Sequence, residues 1–300
     1  MAFQPSLRRR HLSGQSARLS QPAPWSAGVG ASALVLNQNG SSINASATAN
    51  TPGAWVQFVA NNAIAATDTI QSLHILAIGN NQVNGTDNSF MVDIGTGAAG
   101  AESVVAENIA VGPGANSGGA GPHVQIPIRI PGATRVAMRA RAAVGSRLFI
   151  VQQFIASGAA AASPFAGRLP LTLDTIGSNP ATSSGTAMTG ASGTWTELTA
   201  STTKDYQALV LVPSGPGNFT GATTTQFRLD LGIGAAGAEQ AVAYCNAFYN
   251  ANGVVFPNVM TSATAIYGGF IPAGTRISVR HNQAANPSRV CACVIGVPYV

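Results

Sequence analysis

Residues 93–102 read DIGTGAAGAE and residues 230–239 read DLGIGAAGAE, two ten-residue stretches that differ only at their second and fourth positions. The likeness extends outward in both directions. Upstream, Gly53-Ala54-Trp55-Val56-Gln57-Phe58 answers to Gly193-Thr194-Trp195-Thr196-Glu197-Leu198; downstream, Ile130-Pro131-Gly132-Ala133-Thr134-Arg135 answers to Ile271-Pro272-Ala273-Gly274-Thr275-Arg276. Each copy closes on a Ser-Arg step into an apolar run, at Ser146-Arg147 and Ser288-Arg289. Four landmarks keep one order at offsets of 140, 137, 141 and 142 residues, so the chain reads as one module written twice with small loop insertions. A unit of about 135 residues is too long for a solenoid repeat and long enough to enclose its own core.

Around the repeated stretch, short apolar segments alternate with Gly, Pro, Asn and Ser clusters: Trp55 to Ala60, Ser72 to Ile78, Phe90 to Ile94, His123 to Ile130, Thr134 to Ala140 and Arg147 to Ile155. In Arg135-Val136-Ala137-Met138-Arg139 and Arg276-Ile277-Ser278-Val279-Arg280 the arginines and the apolar residues take opposite faces, the period of a half-buried strand. Many short strands separated by turn signals predict an all-β chain of sandwich or barrel type. The spacing allows a helix only around Ala235 to Ala247.

The expected layout is an extended basic arm over residues 1–30, a first β domain over 31–156, a linker over 157–164 and a second β domain over 165–300. The arm holds Arg8, Arg9, Arg10 and Arg18, three prolines and Trp25, which reads as an anchor on the first domain or on a partner. With those four arginines set aside, the remaining 11 basic and 10 acidic side chains nearly balance, so the net charge of +5 belongs to the arm. Nucleic acid is therefore excluded as a partner of the body and is open only to the arm, whose four arginines match about four phosphates. The charged fraction is only 8%, yet 46% hydrophobic residues in periodic segments argue against disorder of the body. No apolar run of signal-peptide length follows Arg10, and no stretch approaches a membrane span, so the chain is expected to be made in the cytoplasm and to avoid membranes.

Both repeated stretches contain G-x-G-x-x-G, at Gly95, Gly97, Gly100 and at Gly232, Gly234, Gly237. A dinucleotide site needs a helix after the glycines and an acid about 20 residues on. Ser103-Val104-Val105-Ala106 is instead rich in β-branched residues and the acid is missing, so the glycines read as a turn between two strands. Asp93 with Glu102, and Asp230 with Glu239, flank that turn; they are expected to accept turn amides or to pair with Arg135 and Arg276, in preference to binding calcium. His74, His123 and His281 have no ligand-like spacing and no counterparts between copies. Cys245, Cys291 and Cys293 read as buried thiols. No cofactor, metal set or catalytic group emerges, and the chain is expected not to be an enzyme.

The combined pattern, a Trp-led strand, then D-[IL]-G-x-G-A-A-G-A-E, then I-P-x-x-T-R-x-x-x-R, resembles modules found in virion structural proteins of tailed bacteriophages, over residues 31 to 300. The resemblance implies two tandem jelly-roll-like β-sandwiches displayed on a capsid or tail, as a homo-oligomer among other virion proteins such as the major capsid or tail proteins. A capsid decoration or head-fibre subunit anchored by the arm is the first expectation, and a tail or tail-fibre component the next. A carbohydrate-binding adhesin contacting a host-surface glycan is the alternative, carried by Tyr244, Phe248, Tyr249 and Phe256, which cluster in the second copy without counterparts in the first.

Overall fold

A computed structural model describes residues 35–36, 41–63, 65–67, 69–79, 89–112, 120–145, 148–157, 169–188, 191–214, 225–249, 265–282 and 291–300. Arg8, Arg9, Arg10, Arg18, Trp25 and Phe256 lie outside the described residues, as do residues 158–164 of the expected linker.

Among the described residues the chain is all-β. The first half supplies β1 (Val35–Leu36), β2 (Ser41–Asn44), β3 (Val56–Val59), β4 (Thr69–Gly79), β5 (Phe90–Thr96), β6 (Ser103–Ala110), β7 (Ala120–Pro131), β8 (Val136–Ala142) and β9 (Leu148–Ser157). The second supplies β10 (Asp174–Ile176), β11 (Ser178–Asn179), β12 (Ser184–Ala187), β13 (Thr196–Thr199), β14 (Tyr206–Ser214), β15 (Thr225–Ile233), β16 (Gln240–Tyr249), β17 (Ala265–Ile271), β18 (Ile277–His281) and β19 (Cys291–Pro298). Every pairing is antiparallel. Four-stranded sheets run β3-β8-β5-β6 and β13-β18-β15-β16, the same order with corresponding strands. The larger sheets likewise contain β2-β9-β4-β7 and β12-β19-β14-β17.

Period-two patterning explains why these segments are strands. Along β5, Phe90, Val92 and Ile94 enter the core between the two first-half sheets, while Asp93 and Gly95 face away from it. On β18, Ile277 and Val279 do the same between the second-half sheets. The helix that the spacing allows around Ala235 to Ala247 is not formed. Gly234 and Gly237 take φ of 116° and 80°, turn the chain, and send it back as β16 against β15. Cys245 is buried in the core while its neighbours Tyr244 and Asn246 are exposed, an alternation a helix would destroy.

β14 departs from simple alternation, because all nine of its residues are buried. Leu209 and Leu211 belong to the second-half core, whereas Ala208, Val210 and Val212 join the first-half cluster, together with Cys293, Ile295 and Val297 of β19. The outer face of this second-half sheet thus packs against β6 and β7 of the first half. Backbone bonds reinforce the contact: the Leu173 N–H donates to Val105 O at 2.8 Å and the Arg129 N–H to Pro170 O at 3.0 Å. Fully buried Val and Ile side chains contribute about 1.5–3 kcal/mol each, so this contact outweighs any single polar bridge across it.

Candidate functional site

The repeated stretch builds the same outward-facing arrangement on both four-stranded sheets. Gly97 and Gly100 take φ of 115° and 81°, matching the 116° and 80° of Gly234 and Gly237, which side chains rarely adopt. Each turn is locked by its Glu. The Gly100 N–H donates to Glu102 Oε2 at 3.0 Å, and Arg135 Nη1 donates to Glu102 Oε1 at 2.8 Å and to Gly97 O at 3.2 Å. In the second half Arg276 Nη1 donates to Glu239 Oε1 at 2.6 Å and its Nε to Glu197 Oε2 at 2.7 Å. The expected pairing of the two glutamates with Arg135 and Arg276 is therefore present. Burial of Glu102 opposes its ionisation, yet its own amide and Arg135 hold its carboxyl below the ordinary range; for Glu239, its own amide leads and Arg276 adds to it. The glycine motif is followed by β6 or β16 and is filled by this ion pair, so it has neither the helix nor the space of a nucleotide site.

The two aspartates are a correction, since they pair with Arg139 and Arg280, four residues further along than Arg135 and Arg276. β5 sets Asp93 opposite Arg139 and β15 sets Asp230 opposite Arg280. Arg139 Nε donates to Asp93 Oδ2 at 2.8 Å, Arg141 Nη2 lies at 3.6 Å, and the Asn108 N–H donates to Oδ1 at 2.7 Å. Arg280 Nε donates to Asp230 Oδ2 at 2.8 Å and Arg228 Nε to Oδ1 at 2.5 Å. Each set ends on a tryptophan: Arg139 lies 4.5 Å from the centroid of Trp55, and Arg280 4.5 Å from that of Trp195. Gly95 and Gly232 lie beneath these rings, where a Cβ would meet ring carbons at 2.9 Å and 2.5 Å.

Beyond the shared part the halves diverge. The first-half ladder is closed in, with Asp93 2% and Arg141 13% exposed and Met91 fully buried beside them. In the second half Arg228 stands at the position of Met91; its side chain is 46% exposed and lies 4.5 Å from the ring of Tyr244, itself 59% exposed. Trp195, immediately before β13, and Arg280, Asp230, Arg228 and Tyr244 on β18, β15 and β16 thus form one open ladder. Of the aromatic residues singled out in the sequence, Tyr244 is on this ladder. Phe248 and Tyr249 pair through the backbone with Gln226 and Thr225 further along β16. Arg228 was not foreseen; the signal was its place two residues before Asp230 on an alternating strand.

The cysteines are buried and free of disulfides, as expected. Burial pushes the thiols of Cys245 and Cys293 up to about 12, with Asp230 adding to the effect at Cys245. No group of three or more His, Cys, Asp or Glu side chains suited to a metal occurs among the described residues. Among the same residues no helix is long and apolar enough to cross a membrane.

No protein-family model and no curated protein matches the sequence. Among solved structures, the chain is similar to the crystal structure of a peptide-N(4)-(N-acetyl-β-D-glucosaminyl) asparagine amidase, at 10% identity and a TM-score of 0.26, over 87% of this chain and 96% of that one. That neighbour is an enzyme, and the expectation that this chain is not one is corrected accordingly: the exclusion is withdrawn. A likeness of this size carries no argument for any activity.

Proposed function

We propose that the chain is a virion structural subunit, a capsid decoration or head-fibre protein, built from two tandem jelly-roll modules and anchored by its basic arm. The observation that carries this reading is the sheet-to-module contact between the halves. On the outer face of one sheet Ala208, Val210, Val212, Cys293, Ile295 and Val297 form a buried apolar patch that packs against the neighbouring module. A surface of that kind suits close packing of modules in an assembly. Further support comes from the paired strand orders, β2-β9-β4-β7 with β3-β8-β5-β6 and their second-half equivalents. These orders support the double-sheet jelly-roll reading, an architecture used by viral capsid and lectin domains. An arm carrying four arginines ahead of a nearly neutral body suits attachment that orders on assembly. Deleting residues 2–24 is expected to abolish incorporation into particles while leaving the melting temperature unchanged. Full occupancy of particles by the truncated chain would overturn the anchoring role.

A second reading, a saccharide-binding adhesin, is favoured by one observation, the exposed Tyr244 ring beside Arg228 in the second module alone. Binding of the purified chain to host envelope polysaccharide tests it.

A further inference from the structure

The two outward ladders share the Trp, the Arg stacked on it, the Asp and the glycine beneath the ring, so those parts are explained by holding the sheet. Arg228 and Tyr244 are what the second half adds, and both are exposed. We propose that they form a subsite for a carboxylate-bearing pyranose, of the uronic acid class, presented within a polysaccharide; its occupancy presupposes the saccharide reading above.

Charge balance points to an anion. Asp230 is flanked by two guanidinium groups, and each is joined to it through Nε, at 2.5 Å from Arg228 and 2.8 Å from Arg280, leaving a local charge of +1. Arg276, Glu197 and Glu239 form their own cluster around Arg276, which immediately precedes β18 and stands four residues before Arg280. At about 3.3 Å per residue that is roughly 13 Å, beyond the screening length of about 8 Å at physiological salt. The ligand's carboxylate therefore meets the positive end of the strip. A guanidinium held through Nε turns its two Nη groups toward a second acceptor, the fork that matches a carboxylate in two places.

Shape points to a sugar ring. Tyr244 has one face toward Arg228, 4.5 Å from its centroid, and with 59% of the residue exposed it offers its remaining aromatic surface to solvent. A pyranose carries apolar C–H groups on one face and a carboxylate at its rim, so the same ring can lie against Tyr244 and reach Arg228. Asn246, the next outward residue on β16, is also exposed and supplies an amide for a hydroxyl. The first half serves as an internal control, because Met91 takes the place of Arg228 and is fully buried.

The test uses the full chain, titrated by calorimetry or NMR with tetragalacturonate, its fully methyl-esterified form and an oligoglutamate. An exposed site of this kind is expected to bind the free acid with a Kd of about 0.1–1 mM. Methyl esterification, Arg228→Gln and Tyr244→Ala are each expected to weaken binding by about tenfold or more, with circular dichroism unchanged, while Arg141→Gln in the first half has no effect. Equal binding of the free acid and its methyl ester would overturn the acidic subsite yet keep the saccharide reading, and no binding of either would overturn the uronate subsite, with the saccharide reading standing or falling on envelope polysaccharide. Oligoglutamate bound as tightly as the uronate, or binding indifferent to Arg228→Gln, would also overturn the proposal.

Discussion

Gly232→Ala tests whether the tryptophan over the sheet dictates the repeated glycine. A Cβ at Gly232 would lie 2.5 Å from Cζ3, 2.6 Å from Cη2 and 3.1 Å from Cε3 of Trp195, far inside ordinary contact. The ring is held from above by Arg280, 4.5 Å from its centroid, so it cannot lift without giving up that interaction. Overpacking of this kind costs about 1–3 kcal/mol, and loss of a partly exposed cation–π contact about 0.5–1 kcal/mol. Gly232→Ala is therefore expected to destabilise by about 2–3 kcal/mol. Gly95→Ala should cost less, about 1–2 kcal/mol, because its Cβ would stand 2.9 Å from the nearest atom of Trp55. In a Trp195→Ala background the obstruction is gone, and Gly232→Ala should become neutral or gain up to about 0.5–1 kcal/mol through the unfolded chain, since its φ is not positive. Guanidinium denaturation followed by far-ultraviolet circular dichroism measures all four chains of the cycle. An equal cost of Gly232→Ala with and without Trp195 would refute the reasoning.

Ala133 takes φ of 55° where the second copy has Gly274 at 86°, so Ala133→Gly is expected to stabilise by about 0.5–1 kcal/mol in denaturant melts, and Gly274→Ala to cost about 1 kcal/mol. Asp93→Asn should cost about 2–3 kcal/mol, and Asp230→Asn about 1 kcal/mol, because the first leaves two partly buried guanidinium groups uncompensated while Arg228 is more open to water. The depressed carboxyls of Glu102 and Glu239 contribute stability that is present above the ordinary value of 4.5 and is lost as pH falls through their lower folded values. Thermal melts should show that acid loss reduced when Glu102 and Glu239 are both replaced by Gln. Ile295→Asp, placing a carboxylate in the apolar contact between the halves, should cost more than about 3 kcal/mol and raise hydrogen exchange along β6 and β7.

The glycine turn and its glutamate–arginine lock were legible because they are local. The glycines must relieve positive φ, and the glutamate, two residues after the last of them, can reach back to its amide. The sequence leaves a helix open over Ala235 to Ala247 because alanine-rich segments favour helix in isolation, while β16 is fixed by pairing with β15 and by burying Cys245 between exposed Tyr244 and Asn246. Alternation placed Arg139 and Arg280 on an outer face. Their assignment to Asp93 and Asp230 required the β5–β8 and β15–β18 register, which a strand's own sequence does not contain.

By itself the amino-acid sequence determined the repeat, the period-two strands and the tight glycine turns, because each follows from sterics and burial within a few residues. Tertiary structure alone decided that the outer face of β14 and β19 meets the first half. The hint was present in the apolar run from Ala208 to Val212, yet a strand buried on both faces does not say what covers it. Tertiary packing also decided which of two similar ladders is open. Met91 and Arg228 occupy equivalent places on equivalent strands, and only the surrounding fold makes one buried and leaves the other, with Tyr244, facing solvent.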